Sequence, residues 1–419
     1  MKLVLVNRYY FPDESATSRM ATSLAQAFIA RGWCVHVVSS QNLHNDSSTR
    51  LPRQETVNGV AIYRVNTTAF GRGRLLGRAV DYLTFHLATM WHLLRHVRHG
   101  DICVICTDPP LLSLSALIPV ALRGGLLVNW LLDLFPEVAI EFGFGRRRSV
   151  PALISLWLRD ISLRRATVNV APMQRMTDYL EARGIPRELL MTIHHWSDGD
   201  AIRPVGRDAN PLRREWGIGN RFVVGYSGNF GRAHEFKTFL DAAQQLGHRQ
   251  DIVFVFAGGG YHAGAIKAEV AARGLTNFLM KPLQPRECLS EALGVADLHL
   301  ISLLPAMEPF VVSSKLYGIL AAGRPTVFVG DTSGEIATVL DAEACGYSVK
   351  PGDAEGLVNV ILELSEKPDL CARMGRDARS AFERYYCEPR GTAAWARALT
   401  QIAPSATTSL PGTTSDARS

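Results

Sequence analysis

Long uninterrupted apolar runs are missing from these 419 residues. The strongest candidate, 111–122, is a dozen residues long and is stopped by Arg123-Gly124-Gly125. A bilayer core of about 30 Å needs roughly 20 apolar residues in a helix. A buried helix followed by a strand at 126–132 is expected there, with partial insertion at a membrane interface left open. Cysteine is also scarce: the seven are scattered and odd in number, which argues against a disulfide scaffold and for the reduced thiols of a cytosolic protein. Cys103 and Cys106 have the spacing of a redox or metal pair. On a strand, an offset of three turns two side chains to opposite faces, so they are expected to be core residues. No basic-aromatic module is present, so nucleic acid is not an expected partner. No G-x-G-x-x-G follows the first strand with an acid about 20 residues on, which disfavours a dinucleotide oxidoreductase. No acidic pair or histidine cluster demands a metal, and neither metal nor cofactor is expected. The chain begins on a strand rather than a charged leader and cleavable apolar segment, so no signal peptide is expected.

What is present is ordinary globular material, 47% hydrophobic and 20% charged. The length suits two domains of about 100–200 residues. The net charge of +6 and pI near 9.0 fit a protein that handles phosphates or rests on an anionic membrane. The run Arg146-Arg147-Arg148 reads as a solvated loop.

Strand and helix signals alternate. Strands are expected at 2–6, 35–39, 61–65, 102–106, 126–132 and 167–171, with helices at 16–31, ending at Gly32, and at 79–96. A polar stretch at 198–220 reads as a linker, and the plan then repeats. Strands are expected at 222–226, 252–257, 277–280, 298–302, 325–329 and 346–349. Such alternation implies parallel, doubly wound α/β sheets, one over 1–197 and one over 221–387. The helix at 392–402 need not belong to the second core. The Ser-, Thr-, Pro- and Gly-rich tail from Pro404 reads as disordered. Ligands of doubly wound sheets bind outside the carboxyl ends of the strands, so the residues after each strand carry the argument.

Five constellations stand at such ends. In Tyr226-Ser227-Gly228-Asn229-Phe230-Gly231-Arg232, glycines permit close approach of backbone amides to a ligand. Arg232, with Lys237 on the next helix, supplies charge for a diphosphate; a plain turn is the rival reading. In Glu308-Pro309-Phe310-Val311-Val312-Ser313-Ser314-Lys315, either serine can cap the following helix, whose free amides attract anions. Lys315 in the first turn opposes the helix dipole, which makes sense if a phosphate neutralises it; the rival is a surface lysine. Gly258-Gly259-Gly260 and Met280-Lys281-Pro282-Leu283 follow two further strands and could approach a base or the opposite domain. Asp133-Leu134-Phe135-Pro136-Glu137 places two carboxylates at a strand end, fit for acid-base work or simply for a capped turn. Arg8-Tyr9-Tyr10-Phe11-Pro12-Asp13-Glu14-Ser15 offers aromatics for a sugar face, with core packing as the rival use. Arg19 follows one turn on, and Asp108-Pro109-Pro110 ends another strand at the same rim.

In order along the chain, these residues resemble the family 4 glycosyltransferases of GT-B fold, especially the bacterial branch that builds colanic-acid-type, O-antigen and capsule polysaccharides. The resemblance also rests on His195-Trp196-Ser197-Asp198, Ala322-Gly323-Arg324-Pro325 and the stretch Gly346 to Asp353, and it reaches to about residue 400. It implies two Rossmann-like domains facing a central cleft and retaining transfer from a nucleotide-diphosphate sugar, UDP by family frequency. The acceptor it implies is a saccharide, lipid-linked by the same analogy, with possible peripheral contact at the inner membrane leaflet. The donor would lie on Ser227, Gly228, Asn229, Arg232, Lys237, Gly258, Gly259, Lys281, Glu308, Ser313, Ser314 and Lys315. The acceptor would lie on Tyr9, Tyr10, Asp13, Glu14, Ser15, Arg19 and Asp108. Asp133, Glu137 and Lys315 would serve catalysis. The resemblance also implies metal-independent chemistry and a last helix, about 388–403, that crosses back onto the first domain. The chain departs from the pattern where many members carry two glutamates eight positions apart: it has Phe310 and Gly318, and Glu308 is out of register. Rival readings are a GT-B epimerase or hydrolase, and a non-catalytic sugar-nucleotide-binding protein.

Overall fold

The computed structural model describes residues 2–403 except 45, 47–48, 71–74, 145 and 147–148. The tail from Pro404 and most of the arginine run therefore lie outside the described residues. The first sheet uses β1 (Lys2–Val6), β2 (Cys34–Ser40), β3 (Gln54–Val57), β4 (Val60–Val65), β5 (Ile102–Cys106), β6 (Leu126–Trp130), β7 (Val168–Ala171) and β8 (Leu190–Thr192), in the order β3-β4-β2-β1-β5-β6-β7-β8. The second uses β9 (Phe222–Asn229), β10 (Ile252–Gly259), β11 (Phe278–Lys281), β12 (Leu298–Ser302), β13 (Thr326–Val329) and β14 (Gly346–Val349), in the order β11-β10-β9-β12-β13-β14. Pairing is parallel throughout except between β3 and β4.

Strand order reverses direction at β1/β5 in the first sheet and at β9/β12 in the second. At such switch points the following loops diverge and leave a crevice. The loops after β1, β5, β9 and β12 are the ones singled out in the sequence.

Five helices of the first unit matter below: α1 (Ala16–Ala30), α2 (Leu75–His96), α3 (Leu112–Leu122), α4 (Glu137–Glu141) and α5 (Val150–Arg165). Helix α1 buries Met20, Leu24 and Phe28 against Leu3, Leu5, Val35 and Val37 on one sheet face. Helices α2 and α3 pack Phe85, Leu93, Leu112, Ala116 and Val120 on the other face, against Val4, Val6 and Val38. Cys103 falls in the second of these clusters and Cys106 in the first. Burial pushes the Cys103 thiol up to about 12 and the Cys106 thiol up as well. Both are structural thiols, not a redox pair.

Two expectations needed revision. The hairpin β3–β4 was not anticipated. Its signal was Asn58-Gly59, both at positive φ (50° and 81°), the backbone of a tight turn between paired strands. The polar linker is also partly folded: Leu212, Trp216 and Ile218 pack against Val223, Val253 and Val255 of the second sheet. Arg213 there is buried and bridges to Asp297 at 3.2 Å. Arg213 is the one charged residue of this stretch that is buried, and its carboxylate partner offsets its desolvation.

The final helix, Glu388–Ile402, returns to the first unit. Trp395, Ala398 and Leu399 join the core of Leu3, Leu24 and Trp130, with Trp395 4.8 Å from the Trp130 ring.

Candidate active site

The strand ends of the two sheets meet directly. Leu134 N–H donates to the Phe310 carbonyl at 2.9 Å, and Asp133 forms an isolated antiparallel bridge with Val311. Tyr179 packs edge-on to Phe310 at 4.9 Å, and the Arg175 amide donates to Glu335 Oε2 at 3.1 Å. Two of the sequence constellations, around Asp133 and around Ser313, are therefore neighbours across the cleft.

On the second unit the glycine turns after β9 and β10 run side by side, with Gly228 opposite Gly258 and Asn229 opposite Gly259. Gly258 sits at φ 152°, and a Cβ there would lie 1.9 Å from the Gly228 carbonyl oxygen. Only glycine permits this contact. Over Gly228 lies the stem of Lys315, the first residue of the helix Lys315–Ala321; a Cβ on Gly228 would be 3.2 Å from its Cε. The Lys315 ammonium stands 2.9 Å from His234 Nε2 and 5.3 Å from the Tyr226 ring centre. His234 Nδ1 is 2.5 Å from the Ser302 carbonyl. A carbonyl only accepts, so Nδ1 carries the proton and Nε2 accepts from the ammonium. Desolvation, and then the adjacent Lys315 charge, hold the His234 imidazole down at about 3, and desolvation draws Lys315 down to about 8.

This leaves a half-buried cation at a glycine-floored strand end, beside a neutral imidazole and, among the described residues, with no carboxylate paired to it. His234 was missed in the sequence; its only mark was its place inside the glycine turn, three residues after Gly231.

Other expected donor residues divide. Arg232 is exposed and lies between the Tyr261 ring (4.1 Å) of its own unit and the Phe144 ring (5.4 Å) of the other, so it bridges the cleft. Ser313 is buried with an unpartnered hydroxyl, and Ser314, at the helix start, makes no side-chain cap. The expectation that a serine caps this helix is not met. Glu308 Oε1 instead accepts from the Glu335 amide at 2.7 Å, capping the helix Glu335–Ala342. Its Oε2 is buried and unpartnered, and desolvation raises this carboxyl above its usual range. Lys237 does not enter the cleft: its ammonium pairs with Asp241 at 2.5 Å one turn along its own exposed helix. Lys281 ends β11 at the sheet edge, its ammonium 5.3 Å from the Trp216 ring centre.

On the first unit, Asp133 is largely enclosed. Desolvation and the nearby Asp108 carboxylate push its carboxyl up to about 7, a value suited to proton exchange near neutrality. Glu137 behaves differently. Its two oxygens take Arg159 bidentately at 2.7 and 3.1 Å, and Tyr179 donates to it at 2.9 Å. A buried carboxylate so saturated fixes the loop and is not free for chemistry. Asp13 is likewise spent on backbone amides, Ser15 at 2.9 Å and His44 at 2.6 Å. Tyr10 is core, and Tyr9 is buried against His44. The aromatic that reaches solvent is Phe11. Glu14 and Arg19 are exposed, and the field of Arg286, across the cleft, adds to desolvation in lowering Arg19. Among the described residues no three His, Cys, Asp or Glu side chains converge to hold a metal.

Two facing doubly wound sheets with a lysine set over glycine turns between them define the GT-B class. Comparison with known proteins carries this further. Residues 208–381 match the model of glycosyl transferases group 1, and 15–196 match a glycosyl transferase 4-like domain. The probable glycosyltransferase WbjE of Pseudomonas aeruginosa is 27% identical over 325 residues, 76% of this chain and 78% of that protein. The putative colanic acid biosynthesis glycosyl transferase WcaI of Escherichia coli K12 is 22% identical over 372 residues, 85% and 90% of the two chains. Among solved structures, sucrose-phosphate synthase from Thermosynechococcus elongatus superposes with a TM-score of 0.77 at 15% identity, over 96% of this chain and 99% of that one. Anabaena HepE bound to UDP superposes at 0.71 with 14% identity, over 96% and 100%. The chain belongs to the family 4 glycosyltransferases of GT-B fold and is a glycosyltransferase.

Proposed function

We propose that the enzyme transfers a sugar, with retention, from a UDP-sugar to a lipid-linked saccharide during cell-surface polysaccharide assembly, working at the cytoplasmic face of the inner membrane. The observation that carries the donor half is the Lys315–His234 pair over the Gly228/Gly258 turns. A compact, partly desolvated cation, with glycine amides beside it, is suited to take the two phosphates and then the charge that develops on the leaving diphosphate. The neutral imidazole of His234 orients the ammonium without cancelling it. The second unit, about 221–387, is the donor side, and the first, about 1–197, the acceptor side. Asp133, half-protonated near neutrality, faces the donor loop across the cleft and would hold the acceptor hydroxyl or take its proton. The solved HepE complexes contain UDP, glucose or UDP-glucose, and the name of WcaI places that relative in colanic acid synthesis; both agree with this reading.

The test is a thermal-shift panel with UDP, GDP, ADP, CMP and NAD at matched concentration. A ligand that binds only the native state raises its melting temperature. A shift with UDP alone supports the reading, a shift with GDP alone replaces the donor, and no shift with any of them overturns it. With the donor identified, product carrying the inverted anomeric configuration would overturn retention.

A further inference from the structure

A crevice of about 820 Å³ lies at the amino end of the second sheet. Phe222, Asp297 and Pro325 line it where β9, β12 and β13 begin, and the helix Pro368–Ala381 forms the facing wall. The glycine turn under Lys315 closes β9 at its other end. The eight residues of β9, at about 3.3 Å each, set the two places roughly 25 Å apart. The helix wall comes close because two glycines meet: a Cβ on Gly375 would lie 2.5 Å from the Gly323 carbonyl oxygen, and Gly323 itself is at φ 63°. The rule that gathers ligands at carboxyl ends does not reach this place. What marks it is its charge.

The carboxylates in the crevice wall are all engaged. Asp297 is buried and takes Arg207 at 2.6 Å, Arg213 at 3.2 Å and the Val223 amide at 2.8 Å. Asp251 takes Arg249 through both oxygens at 2.9 and 2.8 Å, and Glu383 takes Arg379 at 2.7 Å. Two guanidiniums of the same wall have no carboxylate paired to them. Half-buried Arg324 donates from Nη2 to the Val205 and Gly294 carbonyls at 2.5 and 2.9 Å, and its Nε is buried without a partner. Desolvation lowers it from its ordinary value despite the neighbouring Asp297 charge, as befits a cation short of counter-charge. Arg376 is exposed on the helix wall and, among the described residues, has no partner. Exposed Asn220 and Ser380 add uncharged polar groups.

We propose that this crevice is an effector site for a phosphate monoester of a small polar molecule, its phosphate taken by Arg324 and Arg376 and its hydroxyls by Asn220 and Ser380. A phosphate monoester carries about two negative charges near neutrality, and planar guanidinium forks fit its oxygens. Small-molecule sites occupy about 300–1,000 Å³, which this volume matches. The site is tied to the donor lysine. Arg379 beside it donates from Nη1 to the carbonyl of Ala321 at 2.7 Å, the last residue of the helix that Lys315 opens, and to that of Ile202 at 3.0 Å, just past the crossing between the units. A ligand that draws on these arginines acts on both, so it alters UDP affinity and UDP alters its own by the same factor. The site does not rest on the UDP reading; the coupling does.

The experiment is calorimetric titration of the full chain, at fixed ionic strength, with glucose 1-phosphate, adenosine 5′-monophosphate, inorganic phosphate and, as the uncharged control, glucose. Expected is binding of at least one ester with Kd below about 1 mM, tighter than inorganic phosphate, and no binding of glucose. Arg376→Glu should weaken that ester about tenfold while keeping the wild-type melting temperature and UDP shift. Lys315→Met should do the reverse, keeping the ester and losing UDP. Saturating ester should change UDP affinity at least threefold in wild type. Absence of ester binding, inorganic phosphate binding as tightly as either ester, equal ester affinity in Arg376→Glu, or its loss in Lys315→Met would each overturn the site. Unchanged UDP affinity at saturating ester would overturn the coupling. If UDP gives no shift while the ester binds, the donor reading falls and this site stands.

Discussion

Raising the pH from 7 to 9 should weaken UDP binding about tenfold, and Lys315 should be the reason. Its ammonium is drawn down to about 8 by desolvation. With that value roughly nine-tenths of the molecules carry the charge at pH 7 and about one-tenth at pH 9. A bound diphosphate supplies the counter-charge the site lacks and returns the lysine toward its ordinary range. Binding therefore takes up a proton where the free lysine has lost one, and affinity falls by about 1.3 kcal/mol across those two pH units. Because the folded value lies below the unfolded one, this lysine destabilises the folded protein at neutral pH and releases that cost as pH rises through 8 toward 10.5; the loss of affinity is not a loss of fold. The assay is calorimetric titration of UDP at several pH values, repeated in buffers of different ionisation enthalpy to count protons. The Lys315→Met variant should bind weakly and show no pH dependence over this window. Equal pH profiles in the variant and wild type, or a flat wild-type profile, would refute the reasoning.

Other expectations follow from the same geometry. Gly258→Ala should abolish the UDP-induced thermal shift, since its Cβ would enter the Gly228 carbonyl; an unchanged shift would mean that the paired turns do not form the donor floor. Glu137→Ala should lower stability by about 3–5 kcal/mol in a denaturant melt, because it strands the buried Arg159 charge; a loss of turnover at unchanged stability would instead restore a catalytic role. The Asp133 carboxyl is raised to about 7, so whatever stability its protonated form contributes is lost as pH rises through 7. Asp133→Asn should therefore stabilise the protein more at pH 8.5 than at pH 5, read as melting temperatures, and a difference of opposite sign would show that its environment favours the charged form. Trp395→Ala should cost about 3–5 kcal/mol and act on the first unit although the residue comes last in the chain; the check is whether amide exchange accelerates around Leu3 and Trp130.

Much of the architecture was legible in local pattern. Strands 102–106 and 298–302 were placed to the residue, because a short, mostly apolar run between turn residues has little other use. Candidate loops were found by the rule that ligands gather beyond strand ends. Which residues inside those loops face the cleft was not legible. Asp13 reads as an acceptor-binding carboxylate and Glu137 as a catalytic one in a list of residue types; only the structure shows them engaged by backbone amides and by an arginine. Tyr10 and Phe11 differ little as letters, yet the backbone sends one into the core and the other into water. Lys237 and Lys315 both begin helices after glycine or serine turns, and only packing distinguishes a lysine paired on the outer surface from one half-buried beside His234.

By itself the sequence determined the periodicities, and with them two parallel α/β sheets, their strand ends and the glycines that let backbones approach, since these follow from interactions between near neighbours in the chain. Tertiary structure decided what depends on distant residues meeting. It set Asp133 against Val311, the His234 nitrogen under Lys315, and the last helix on the first core. It also set the charge states, because desolvation is a property of everything that surrounds a group and not of the group's place in the chain.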